Sequence, residues 1–107
     1  MDGTICEAIR GRRLLIFEYA DLMRVVEPHL YGINSAEHEA LTAWLRPGNS
    51  RVDPQGGWRN YLVADMHHVQ ILDERFDGPR AGYNARDPRL VRIFCALPPG
   101  SPGGSDG

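Results

Sequence analysis

Gly57-Trp58-Arg59-Asn60-Tyr61-Leu62-Val63 decides how this chain is read. Apolar and aromatic residues alternate with polar ones through it, the two-residue period of a half-buried strand. The same period runs upstream through Arg24-Val25-Val26-Glu27-Pro28-His29 and downstream from Val69-Gln70-Ile71-Leu72 to Phe76. Three such pieces in 107 residues mark a β-rich chain of one domain.

Working outward from these pieces, a short helix is expected from Thr4 to Arg13, with Thr4 as N-cap and Glu7 at capping-box spacing. Ile5, Ala8 and Ile9 share its apolar face, and Gly11 is a stop. Leu14 to Tyr19 reads as the first strand, and Asp21 marks a turn. The second strand spans about Met23 to Ile33. Pro28 lies inside it and cannot donate to a ladder, which predicts an edge, bend or bulge there. A turn at Asn34-Ser35-Ala36-Glu37 leads to a third strand, His38 to Leu45. Pro47 to Gly57 is a loop by composition. The fourth strand runs from Trp58 to Asp65, Met66-His67-His68 turns, and Val69 to Leu72 is the fifth. Phe76 plugs the barrel or packs beside it.

The periodicity supports a small β-barrel or roll after one short helix. Residues 78–84 read as irregular. Asp87-Pro88 is a helix start by residue type, with Leu90, Val91, Ile93, Phe94 and Leu97 as its apolar stripe. The same run also alternates as a strand; helix is favoured. Residues 98–107 hold too little apolar surface to fold and are expected to be a disordered tail.

Composition narrows the function. Net charge is −2, so any nucleic-acid surface must be local. All twelve basic residues are Arg, whose planar fork suits phosphate and carboxylate. Cys6 and Cys95, near opposite ends, form neither a metal site nor a disulfide framework and read as small apolar residues, a bond between them being the lesser reading. No apolar run reaches membrane-spanning length and the N-terminus has no secretory h-region, so a cytoplasmic protein is expected. His67-His68 lacks partners at metal-ligand spacing, and Glu18 with Glu27 lacks a nucleophile and reads as exposed strand residues. No enzyme, cofactor or metal site is expected.

Taken in order, Ile5-Cys6-Glu7-Ala8-Ile9 with Leu15-Ile16-Phe17-Glu18-Tyr19, then Arg24-Val25-Val26-Glu27-Pro28, then Arg59 with Tyr61, then Val63 to Val69, resemble a WYL domain, a bacterial regulatory module. The match covers roughly Ile5 to Phe76. It implies a five-stranded SH3/Sm-like β-barrel over residues 1–77, with 78–97 as a C-terminal extension packed on it. It also implies a non-enzymatic sensor that binds nucleic acid or a nucleotide-like anion. Arg24, His29, Trp44, Arg46, Arg59 and Tyr61 are the residues carried over as lining the ligand site. The chain departs from the family where Ala64-Asp65 stands in place of an Asp-Arg pair, and no helix-turn-helix domain accompanies it.

From 78 to 97, Arg80, Arg86, Arg89 and Arg92 stand against Asp87 alone, a local basic patch or the wet side of a packed tail. The competing expectation is a protein-interaction or self-assembly module, in which Leu90 to Phe94 and the edge near Pro28 pack on a regulatory partner or a second copy.

Overall fold

The computed structural model describes residues 2–47 and 56–99. In chain order these form α1 (Asp2–Gly11), β1 (Arg13–Tyr19), β2 (Leu22–Asn34), β3 (Glu39–Leu45), β4 (Gly57–Leu62), a 3₁₀ turn at Val63–Asp65, β5 (His67–Arg75) and β6 (Leu90–Ala96). All ladders are antiparallel. The order is β4-β3-β2-β1-β5, and β6 adds to β2 beside that path. Among the described residues no ladder joins β4 to β5, so the sheet is open there.

The first hairpin turns on Ala20 and Asp21, both at positive φ (51° and 65°), the backbone of a two-residue turn whose twist suits flanking strands. β1 follows its expected alternation only in part, since Leu14 on the other face is also buried and Tyr19 is half-buried. Leu15 and Phe17 are fully buried on one face beneath α1, whose Ile5, Ala8 and Ile9 are also fully buried. Each such Leu, Ile or Phe contributes about 1.5–3 kcal/mol by leaving water. α1 starts at Asp2, so Thr4 lies inside its first turn rather than capping it.

β2 is the organising element. Its first half pairs with β1 (Leu15↔Val26 to Tyr19↔Leu22), its second half with β6 (Leu30↔Ala96 to Asn34↔Leu90), and β3 lines its other edge. The irregularity expected at Pro28 is present. Pro28 pairs with Ala43 and Leu30 with Thr42, leaving His29 as the extra residue of a bulge. The carbonyl it re-aims accepts the amide of Leu97 at 2.8 Å and lies 3.2 Å from the Tyr83 hydroxyl oxygen.

Three expectations are corrected here. The segment from Asp87 to Leu97 is not a helix. It forms β6, because Asp87 accepts the amide of Arg89 (3.0 Å) as a turn does, and the chain then pairs with β2. Gly32 makes that pairing close, since a Cβ there would lie 2.0 Å from the Arg92 carbonyl oxygen. Cys6 and Cys95 are not separate apolar residues but a disulfide between α1 and β6, with Cα atoms 5.6 Å apart. The chain also turns at Val63–Asp65, earlier than Met66-His67-His68, so β4 is shorter and β5 longer than the alternation implies. Most of the 47–57 loop and the tail from residue 100 on lie outside the described residues.

Candidate functional site

Glu27 sits two residues before the bulge. Alternation makes it a polar position, yet its side chain is 1% exposed. The face it points to is covered by residues 76–83, which cross β2, β3 and β4 at that level. Burying a lone carboxylate is prohibitive, so it must be paired. Two arginines do this. Arg80 donates Nε to Oε1 and Nη2 to Oε2, each at 2.8 Å, and Arg46 donates Nε to Oε2 at 2.8 Å. Burial pushes the Glu27 carboxyl up, but the hydrogen bonds and charges of Arg80 and Arg46 outweigh it, and the net pKa lies below the ordinary range.

His29 is fully buried beside this pair. Its Nδ1 lies 2.8 Å from the Glu27 carbonyl oxygen and its Nε2 lies 3.1 Å from the Arg80 amide. An amide can only donate, so Nε2 accepts, and Nδ1 carries the proton and donates to the carbonyl. Both nitrogens of the neutral ring are thus satisfied. Burial is the largest cause of its lowered pKa; Glu27 opposes the shift and the Arg80 charge adds to it. Aromatic rings surround it: Trp58 edge-on at 4.8 Å, Tyr83 at 5.1 Å and Phe76 stacked at 5.5 Å. Trp44 stands across the ladder from both Glu27 and Trp58, and its ring lies 5.1 Å from the Arg80 guanidinium carbon. Trp58 Nε1 donates to the Ala81 carbonyl (2.9 Å), and the Tyr83 hydroxyl donates to the Leu97 carbonyl (2.6 Å). Burial pushes the Tyr83 phenol up to about 12.

A cavity of about 400 Å³ opens at this point, lined by Glu27, Arg46 and residues 75–80. Arg75, Arg80 and the half-exposed Arg46 supply its positive charge; Glu27 and Asp77 supply the negative.

The six residues expected to share one mouth are thus divided. His29, Trp44 and Arg46 meet around Glu27. Arg24 does not join them. It is 8% exposed and donates Nε and Nη2 to the Tyr19 carbonyl (3.3 and 3.1 Å), closing the first hairpin. Tyr61 is 3% exposed and packs edge-on to Phe17 and Tyr19 in the main core. Arg59 donates to the carbonyls of Trp58 (2.6 Å) and Gly56 (3.1 Å), holding the entry to β4. The unbroken β3–β4 register leaves Arg59 on the face opposite Trp58. Glu27 is also corrected, from an exposed strand residue to the buried anchor. Arg75, Phe76, Arg80 and Tyr83 join the site from outside the expected set. The available signal was two polar residues, Glu27 and His29, flanking Pro28 within one strand, together with the arginines at 46, 75 and 80 downstream.

Among the described residues no three His, Cys, Asp or Glu side chains stand close enough to hold a metal ion. No described helix is long and apolar enough to cross a membrane. Neither the family models, nor the curated proteins, nor the solved structures compared with this chain match it.

Proposed function

We propose that this chain is a non-enzymatic ligand-sensing module of the WYL kind that binds a nucleic acid or nucleotide-like anion beside Arg46, Arg75 and Arg80. The observation that carries the reading is the cavity of about 400 Å³ that Arg46, Arg75 and Arg80 help to line. Its size suits one small ligand. Arg80 is held from behind by Glu27 and Trp44, so its outer edge and planar face stay available to phosphate or to a stacked base. Arg24, His29, Arg59 and Tyr61 serve as framework in this reading. The strand order, the bulged β2 and the 3₁₀ turn between β4 and β5 support an Sm-like barrel left open at β4 and β5.

Fluorescence polarisation against labelled single-stranded DNA and RNA, at two salt concentrations, tests it. Arg75 is exposed and among the described residues donates to the Gly11 carbonyl (2.9 Å), so Arg75→Ala should leave the fold intact. Binding should weaken with salt and fall about tenfold in this variant, the loss of one phosphate contact. Wild-type binding that ignores both changes would sink the proposal.

A second reading, protein interaction or self-assembly, is favoured by β6. Val91, Ile93 and Phe94 are 65%, 39% and 37% exposed on this one strand. Under it, Phe94→Glu dissociates an assembly seen by sedimentation and leaves oligonucleotide binding unchanged.

A further inference from the structure

The residues around Arg80 form a receptor for one arginine and the main chain that carries it. Glu27 takes the guanidinium by a two-point fork at 2.8 Å, and the Trp44 ring covers it at 5.1 Å. His29 Nε2 accepts the amide of the same residue at 3.1 Å, and Trp58 Nε1 donates to the next carbonyl, that of Ala81, at 2.9 Å. Side chain and backbone are therefore both read. All four reading residues lie in β2, β3 and β4. The segment that fills them is irregular, and Gly78 and Gly82 on either side of it have positive φ (152° and 90°). The segment bends at Gly78 and turns after Arg80, where the Tyr83 amide donates to the Arg80 carbonyl at 3.2 Å, so it lies on the sheet as a short turn-bearing peptide would, with the difference that it is covalently attached.

We propose that the Glu27–His29–Trp44–Trp58 cradle is a binding site for an arginine-bearing peptide segment, filled in cis by Arg80 and open to a competing arginine supplied in trans. This goes beyond the anion reading, since the ligand is a cation and its receptor a buried carboxylate. The two-point fork and the flat ring above it select arginine over lysine, whose ammonium is a point donor. A tethered occupant acts at a millimolar effective concentration, so the wild-type chain masks the site. The arginine comes from a separate protein, because the Cys6–Cys95 disulfide ties the extension to its own helix and opposes exchange between copies.

The test uses the full-length chain and the peptide Gly-Pro-Arg-Ala-Gly-Tyr, which copies residues 78–83, alongside a peptide with Lys in place of its Arg. Tryptophan emission follows binding to wild type, Arg80→Ala and Arg80→Lys; the last keeps a cation on Glu27 in case the alanine variant does not fold. The Arg peptide should bind the variants at least tenfold tighter than wild type, and at least tenfold tighter than the Lys peptide does. Adding Glu27→Gln should abolish the preference. A folded variant that binds both peptides alike, or neither, overturns the proposal. If neither variant folds, wild type at millimolar peptide decides: a response to both peptides or to neither overturns it. Mixing Arg80→Ala chains with Glu27→Gln chains tests that source. A mixed dimer in sedimentation overturns it in favour of a second copy; peptide binding without a dimer supports it.

Discussion

Arg80 on Glu27 and Arg89 on Asp87 are the same chemical pairing in two settings. In each, one carboxylate takes Nε and an Nη of one guanidinium. Arg80 reaches across 53 residues to a carboxylate 1% exposed, whereas Arg89 folds back two residues onto one that is 11% exposed and is itself 66% exposed. The geometry of the two forks is nearly matched and each joins an exposed arginine to a buried carboxylate, so the contrast rests on chain topology, on the deeper burial of Glu27 and on Arg46 as its second partner. The deeper a carboxylate is buried, the less it can turn to water when its partner leaves. The first pair therefore fixes where the extension lies, and the second only shapes a turn.

The disulfide gives the widest test of that contrast. Cys6–Cys95 closes a loop with a sequence separation of 89 and pins β6 to α1, which brings the whole extension to the sheet. Constraint of the unfolded chain by a loop of this length is worth about 4 kcal/mol. Urea titration with and without reductant should show a loss of that order. In the reduced chain the Glu27–Arg80 pair is left to hold the extension, so removing both should cost more than the two separate losses together. Additive losses would mean that the pair does not position the extension.

Arg80→Ala comes next. It leaves Glu27 buried with Arg46 alone, and breaking a buried pair costs about 3–5 kcal/mol. The lower end is expected because one partner remains, read again from urea midpoints.

Acid separates the groups in a different way. His29 stays neutral in the fold, while an unfolded histidine protonates from about pH 6.5 downward. A folded-state pKa below the unfolded one gives stability that is complete above pH 6.5 and drains as pH falls toward the folded value. The slope is at most about 1.4 kcal/mol per pH unit for one proton. Glu27, also lowered, adds a second loss as pH falls below its ordinary value of 4.5. His29→Gln should remove the upper limb and leave the lower. An unchanged profile between pH 6.5 and 5 would show that His29 is not held neutral.

How much of this could be read in advance follows from which rules the residues obey. β1, β3 and the start of β4 were legible as strands from their alternation, although it did not mark a wet face: Leu14 on β1 and Ala40 and Thr42 on β3 are buried as well. β2 was legible as a strand and its bulge from Pro28, but not the burial of Glu27. From Val26 to Gly32 every residue is buried, because α1 packs on the strand, residues 76–83 lie over Glu27 and His29, and β3, β1 and β6 line its edges. A strand covered twice loses the alternation that tells inside from outside. Leu90, Val91, Ile93 and Phe94 fit both periods, and Asp87 accepts an amide two residues on at a turn just as at a helix start, so β6 was read as a helix. The cysteine pairing and the Arg80–Glu27 contact depend on how the chain doubles back. No local pattern carries that. Of the six residues read as a site, the three that do not meet around Glu27 are arginines on backbone carbonyls and a core tyrosine, roles that composition does not distinguish from ligand binding.

The smallest expected effect is Arg89→Ala. Its guanidinium loses the Asp87 contacts, the shortest at 2.7 Å, but the turn survives: the Arg89 amide still donates to Oδ1 and the Leu90 amide to the Asp87 carbonyl, both at 3.0 Å. Asp87 is held below the usual carboxylate range mainly by its hydrogen bond to the Arg89 side chain, against a smaller opposing push from burial. That contribution is present above the ordinary carboxylate value and lost as pH falls through the folded one, so the variant should differ from wild type at neutral pH and converge with it in acid. The neutral-pH difference should stay below about 1 kcal/mol, as for a pair whose arginine is exposed and whose carboxylate keeps its backbone amide partner. A cost near that of Arg80→Ala would show that depth of burial and chain topology do not separate the two pairs, and that Arg89 anchors β6 as firmly as Arg80 anchors the segment before it.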